Sequence, residues 1–198
     1  MKPILFNTEM VRAILDGRKT VTRRVVKFRD GKHPNWTGYV KDGLTLYNGR
    51  NEPCNTPAPF KVNDILYVRE TWCSAYDGAK YFYLADKVTV REKYWLLDYN
   101  NVKWRPSIHM PKKAARIFLK VTSVRVERLQ DITEEQAAAE GCNSGLLTGP
   151  CTARGQFENL WNSTIKKDQL QYYGWNANPY VWVIEFEVID KAAALKEA

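Results

Sequence analysis

The sequence predicts an α+β protein: a small mixed β-barrel with short flanking helices and two loop-rich insertions. Three observations lead there. Strand-like runs of unequal length recur from about Pro3 to Ile189, separated by short helical patterns and lacking the regular strand-helix-strand alternation of a parallel α/β sheet. Residues near 27–60 are rich in glycine, proline and asparagine, and residues near 73–113 are aromatic and charged, so both read as insertions over the core. With 198 residues, 44% of them apolar, the chain can bury one sizeable core, which assigns 1–190 to a single domain and 191–198 to a tail. Closing the strands into a barrel would also hide their edges.

An opening strand is expected around Pro3 to Phe6. Asn7 suits a helix N-cap and Glu9 the first turn, while Met10, Val11, Ala13 and Ile14 form an apolar stripe that Gly17 ends in a left-handed conformation. The β-branched set Thr20, Val21, Thr22, Val25 and Val26 then predicts a strand. In it Thr22 and Arg24 share one face, and Val21, Arg23 and Val25 the other. A short hairpin is expected around Tyr39 and Leu44 to Tyr47. Pro53, Pro57 and Pro59 lead to a strand from Ile65 to Thr71, whose near-continuous apolar run implies burial on both faces.

In the second insertion Lys80 to Ala85 reads as a strand, and periodicity leaves Val88 to Leu97 open between helix and strand. Ala115 to Arg128 reads as a long strand. Ile117, Leu119 and Val121 share one parity and Val124 and Val126 the other, which a bulge near Thr122 or Ser123 would reconcile. Asp131 or Thr133 can cap a short helix, with a capping box to Gln136 and Gly141 just past the end. A further helix over Ala153 to Ile165 places Phe157, Leu160, Trp161 and Ile165 on one stripe. The last strand, Tyr180 to Ile189, is expected to turn Trp182, Ile184, Phe186 and Val188 to the core and Glu185 and Glu187 outward. The tail from Lys191 is expected to be frayed or helical.

No segment approaches the roughly 18 consecutive apolar residues of a membrane span, and the opening apolar run is too short for a signal peptide, so a cytoplasmic protein is expected. Cys54, Cys73, Cys142 and Cys151 form no C-x-x-C pair, and His33 and His109 are the nitrogen ligands on offer. Reduced thiols, no metal and no cofactor are expected. A formal charge of +8 favours a polyanionic partner. Aromatic residues beside cations strengthen that expectation: Trp36 and Tyr39 near Lys32 and Lys41, Tyr94 and Trp95 near Lys93, and Trp104 between Lys103 and Arg105.

The richest stretch is Gly17 to Arg24, Gly-Arg-Lys-Thr-Val-Thr-Arg-Arg, which sets a lysine, two threonines and three arginines directly after a helix stop. Lys19 in the turn can lean toward Thr22, so one small region would hold an ammonium, a hydroxyl and a guanidinium. A basic solvated turn is the plainer alternative. Gly17, Lys19, Thr22 and Arg24 resemble the G-x-K-x-x-[E/T]-x-R signature of ASCH domains, a PUA-like superfamily of small β-barrels associated with RNA. Three further blocks, Val62 to Trp72, Trp104 to Pro111 and Asn178 to Ile184, resemble bacteriophage and prophage ASCH proteins, and the likeness runs from about Pro3 to Ile189.

Some bacterial members of that family hydrolyse the amide of N4-acetylcytidine with a lysine and a threonine of the signature and a later glutamate. The resemblance implies Lys19, Thr22 and Glu140 in those roles, Glu140 by the run from Ile132 to Glu140. Glu134 and Glu135 stay open if the register shifts, as does Glu70. A threonine hydroxyl needs a base, and lysine serves only if burial or neighbouring cations such as Arg18, Arg23 and Arg24 lower its pKa. Direct pairing with Glu140 would oppose that, leaving Glu140 to orient the amine, position water or grip the cytosine edge.

Arg24 would stabilise an oxyanion or contact phosphate, and Arg69, Glu70, Trp72, Trp104 and His109 are further candidates for nucleoside or nucleic-acid binding. Glu70 could equally pair with an arginine such as Arg24, Trp72 could plug the barrel, and His109 could be structural. Against the amidohydrolase stand two alternatives: a non-catalytic reader of RNA or of modified bases, and a metal-independent ribonuclease using Lys19.

Overall fold

A computed structural model describes residues 1–28, 39–54, 56–75, 80–86, 103–142 and 152–196. Its nine strands among these residues are β1 (Lys2–Leu5), β2 (Val21–Val25), β3 (Tyr39–Lys41), β4 (Thr45–Tyr47), β5 (Ile65–Arg69), β6 (Trp72–Ala75), β7 (Lys80–Tyr83), β8 (Phe118–Arg128) and β9 (Tyr180–Ile189). The helices are α1 (Thr8–Leu15), α2 (Glu134–Ala139), α3 (Ala153–Thr164), α4 (Leu170–Tyr173) and α5 (Lys191–Lys196), joined by short 3-10 turns. The fold is mixed α+β. A five-stranded sheet has the order β1-β5-β8-β9-β2, and two hairpins, β3-β4 and β6-β7, form separate two-stranded sheets. The segment Val88 to Leu97, the aromatic residues Trp36, Tyr94 and Trp95, and His33 and Cys151 lie outside the described residues.

The chain divides into two compact units. The first comprises Met1–Gly17, Asp64–Lys120 and Glu187–Ala198. Here β1 runs parallel to β5, and β5 pairs antiparallel with the start of β8, Ile65 opposite Lys120 and Tyr67 opposite Phe118. Four of the five β5 residues are buried, as an apolar run with two covered faces should be. Asn7 caps α1 by accepting from Met10 N, and Gly17 takes a φ of +72°, the left-handed geometry that stops the helix. Ile65, Tyr67, Trp72, Met110 and Phe118 pack together with Ala194 of α5, so the tail is helical and docked.

The second unit comprises Arg18–Asn63 and Val121–Phe186. β2 pairs antiparallel with β9 from Val21 opposite Glu185 to Val25 opposite Val181. α2 opens on the capping box of Thr133 and Gln136, and Gly141 follows it at a φ of +93°. α3 opens on Thr152 and buries Phe157 and Trp161, which meet Trp175, Val181 and Val183 in the core.

Burial along β8 switches parity between Val121 and Val124, as the sequence pattern requires. β9 departs from expectation at one end. Val188 is 56% exposed rather than turned to the core, while Val181 and Val183 are buried alongside Trp182, Ile184 and Phe186. Among the described residues no helix is long and apolar enough to cross a membrane.

Candidate functional site

In the second unit the turn after Gly17 leads Lys19 straight into the end of α2. Lys19 and Glu140 form an isolated antiparallel bridge, and Thr20 N donates to Ala139 O at 2.9 Å, so backbone pairing fixes the approach before any side chain is considered. Lys19 Nζ then donates to Val21 O at 2.8 Å, to Glu140 O at 2.9 Å and to Glu140 Oε2 at 2.5 Å. Three acceptors match the three protons of an ammonium.

Arg23 reaches the same carboxylate from Nη1 to Oε1 at 3.3 Å, while its Nη2 donates to Gln136 Oε1 at 2.9 Å and to Glu127 Oε2 at 3.4 Å. Neither the Lys19 nor the Arg23 side chain has exposed surface, and Glu140 keeps 2%. Burial pushes the Lys19 amine below its ordinary pKa against the pull of Glu140, and the charge of Arg24 pushes the same way as burial. Arg24 is half-buried; burial lowers its guanidinium too, and Glu140 opposes. Thr22 is buried on β2, one residue past the carbonyl that holds Lys19.

Lys19, Glu140, Arg23 and Arg24 therefore gather at one strand edge. Of the four glutamates left open, Glu140 is the one on Lys19. Glu134 accepts from Arg154 N at 3.2 Å, and Glu135 is exposed at the start of α2. Arg23 was read on the face opposite Thr22. It reaches Glu140 because β2 is the last strand in the sheet order, leaving its outer edge open to the end of α2. A cavity of about 190 Å³ is bordered by Thr20, Val21, Gln136 and Ala139, the chain neighbours of this cluster.

Glu70, Arg69, Trp72, Trp104 and His109 belong to the first unit. Glu70 is 1% exposed and does not pair with Arg24: Arg116 Nε and Nη2 hold its two oxygens at 2.9 and 3.0 Å, and the same guanidinium forks to Asp86 at 2.6 and 2.9 Å. Arg116 comes to Glu70 because β5 and the approach to β8 are in register, Val68 N donating to Ile117 O at 3.0 Å.

Burial pushes the Glu70 carboxyl up while Arg116 pulls it down. Burial alone would lower Arg116, but its bonds to Glu70 and Asp86 together hold its proton more firmly than in an ordinary guanidinium. Arg116 also lies 4.0 Å from the ring centre of Tyr83, whose hydroxyl burial pushes up to about 12.

Trp72 is 4% exposed, its ring covered by Arg105 at 5.1 Å, and its backbone exchanges hydrogen bonds with Arg105 at 3.2 and 2.8 Å. The buried Trp72 Nε1 and Arg69 Nε have no hydrogen-bond partner among the described residues. Arg69 Nη1 donates to Ile108 O at 3.2 Å. Trp104 is half-buried and His109 exposed on a 3-10 turn. Arg116 and Asp86 were not singled out in the sequence: strand register brings the first to Glu70, and the second sits on a 3-10 turn after β7. Arg105 was read as a cation beside Trp104, and the ring it covers is that of Trp72. Among the described residues no three His, Cys, Asp or Glu side chains are placed to hold a metal ion.

Comparison with known proteins adds little to this geometry. No family model and no curated protein matches the chain. A solved structure, that of protein EF3133 from Enterococcus faecalis V583, assigned to family DUF984, is similar over 96% of this chain and 82% of its own, at 13% identity and a TM-score of 0.43.

Proposed function

We propose that the chain is a PUA-like domain of the ASCH type that acts on a nucleoside base, hydrolysing the amide of an N4-acylated cytidine. The observation that supports this reading is the direct contact of Lys19 Nζ with Glu140 Oε2 at 2.5 Å, with Lys19 also held by the carbonyl of Val21, the residue before Thr22 on β2. Those are the three residue types the ASCH resemblance requires, and they come from segments 121 residues apart.

In this mechanism burial favours the amine form of Lys19, which takes the Thr22 hydroxyl proton as the oxygen adds to the acyl carbon. Arg24 offsets the negative charge that develops on the carbonyl oxygen. The tetrahedral adduct collapses with cleavage of the bond to N4, which takes the proton from Lys19 and leaves as the cytosine amine. Water then cleaves the acyl ester, delivering its proton through Lys19 and Glu140 and restoring the threonine.

A second reading has its own support. The three acceptors around Lys19 Nζ satisfy an ammonium completely, which suits a fixed charge in a non-catalytic reader of RNA or modified bases better than a base that must shed its proton. Release of cytidine from N4-acetylcytidine by the purified chain decides between them. Hydrolysis should fall by about 10²-fold or more in Thr22→Val, which keeps the shape and removes the hydroxyl. No turnover of any N4-acyl nucleoside, with salt-dependent RNA binding that Thr22→Val leaves intact, would establish the reader.

A further inference from the structure

The stretch from Gly43 to Asn63 is tied at both ends to β8. Val126 N donates to Gly43 O at 2.7 Å, and Asn63 N donates to Val121 O at 2.8 Å. Gly43 and Asn63 take left-handed φ values of 65° and 69° at these two anchors, which lets the chain turn sharply onto and off the strand. Between them Cys54 N donates to Leu46 O at 2.7 Å and Tyr47 bridges to Pro53, so the segment is an arch braced across its own span.

Beneath the arch lies a cavity of about 510 Å³, within the range of roughly 300–1,000 Å³ typical of small-molecule sites. Val124 and Trp182 contribute from the sheet, and Leu44, Phe60 and Val62 from the arch. Trp182 stands directly across from Arg24, and Ile184 from Thr22, so the cavity opens on the sheet face that carries Thr22 and Arg24.

We propose that this cavity binds a nucleotide, its base against Trp182 and its phosphate toward Lys61. Two aromatic rings in an apolar wall suit a flat ring, and the hydroxyls of Thr45 and Thr56 offer partners for its polar edge. Lys61 is the charged residue of the lining, and it is a cation. That the ring is a nucleobase rests on the function proposed above. A free nucleotide and one unit of a single strand present the same chemistry.

Cys54 lines the cavity with an unbridged, half-buried thiol. Its alkylation by N-ethylmaleimide, followed by mass spectrometry of its own peptide, therefore reads occupancy of this cavity and no other place. Cytidine 5′-monophosphate at ten times its dissociation constant should slow the reaction about tenfold, and ribose 5-phosphate should not. A short oligocytidylate that protects where the mononucleotide does not identifies the strand as ligand, and the reverse identifies the free nucleotide.

Ala58→Trp places an indole in the cavity and should abolish binding by calorimetry with an unchanged circular dichroism spectrum. Absence of protection by either probe, or undiminished binding in Ala58→Trp, overturns the site. Protection of Cys54 in a chain that never cleaves N4-acetylcytidine removes the hydrolase and keeps the site. Cleavage with Cys54 unprotected does the opposite.

Discussion

The Lys19–Glu140 cluster and the Glu70–Arg116 cluster each hold a glutamate almost out of solvent, at 3% and 1% exposure, and neutralise it differently. Glu140 is met by a lysine and an arginine with no exposed side-chain surface, whereas Glu70 is met by one arginine that keeps 27% of its side chain exposed and also serves Asp86. Around Lys19, a compact ammonium takes acceptors from both Val21 and Glu140, and water has no access to replace any of them. Around Arg116, a planar fork faces two carboxylates and a tyrosine ring, and solvent can take the place of a lost partner. Burial of the cation, more than of the carboxylate, sets how much breaking such a pair costs.

The largest effect should therefore come from Glu140→Ala. It takes the carboxylate from two buried cations, leaving Lys19 two backbone carbonyls, and should lower unfolding stability in urea by about 3–5 kcal/mol. Lys19→Met combined with Glu140→Leu should recover most of that loss, since Arg23 keeps Gln136 and Glu127. A loss below about 1 kcal/mol for Glu140→Ala would end the contrast between the clusters.

The part of the site that was legible in the sequence is the part built from short-range pattern. Asn7, Gly17 and the Thr133–Gln136 box declare where α1 and α2 start and stop, so Lys19 falls at a turn and Glu140 at a helix end from local signals alone. Arg23 was legible as a cation near Lys19, but its bond to Glu140 was not, because parity predicts which face of a strand a side chain takes and says nothing of what reaches the strand's edge. Arg116 lies 46 residues from Glu70, and β5–β8 register, which no local signal specifies, brings them together. β6 was unread because Trp-Cys-Ser-Ala carries no alternation, and its pairing with β7 supplies the order its sequence lacks. The arch over Val124 was seen as an insertion, but its two anchors on β8 are backbone bonds and leave no trace in side-chain pattern.

Glu70→Gln sharpens the comparison from the other side. It removes the charge and keeps the shape, and Arg116 retains Asp86 and the Tyr83 ring, so the loss should be about 1–3 kcal/mol in the same urea experiment. A loss as large as that of Glu140→Ala would show that exposure of the cation confers no tolerance.

The smallest effects are in the pH dependence, where the two clusters should tilt stability in opposite directions. Glu70 is raised above 4.5, so between that value and its folded pKa the native chain holds more protons than the unfolded chain, and its contribution falls as pH rises. Lys19 is lowered below 10.5, so between its folded pKa and that value the unfolded chain holds more protons, and its contribution rises with pH. One proton limits either slope to about 1.4 kcal/mol per pH unit.

Stability of the parent minus that of Glu70→Gln should accordingly decline with pH on the acid side. Stability of the parent minus that of Lys19→Met should climb toward the alkaline side. Two difference curves of the same sign would mean that Arg116 outweighs burial at Glu70, or that Glu140 outweighs burial at Lys19. The curve that had reversed would identify which cluster is held by charge and which is merely enclosed.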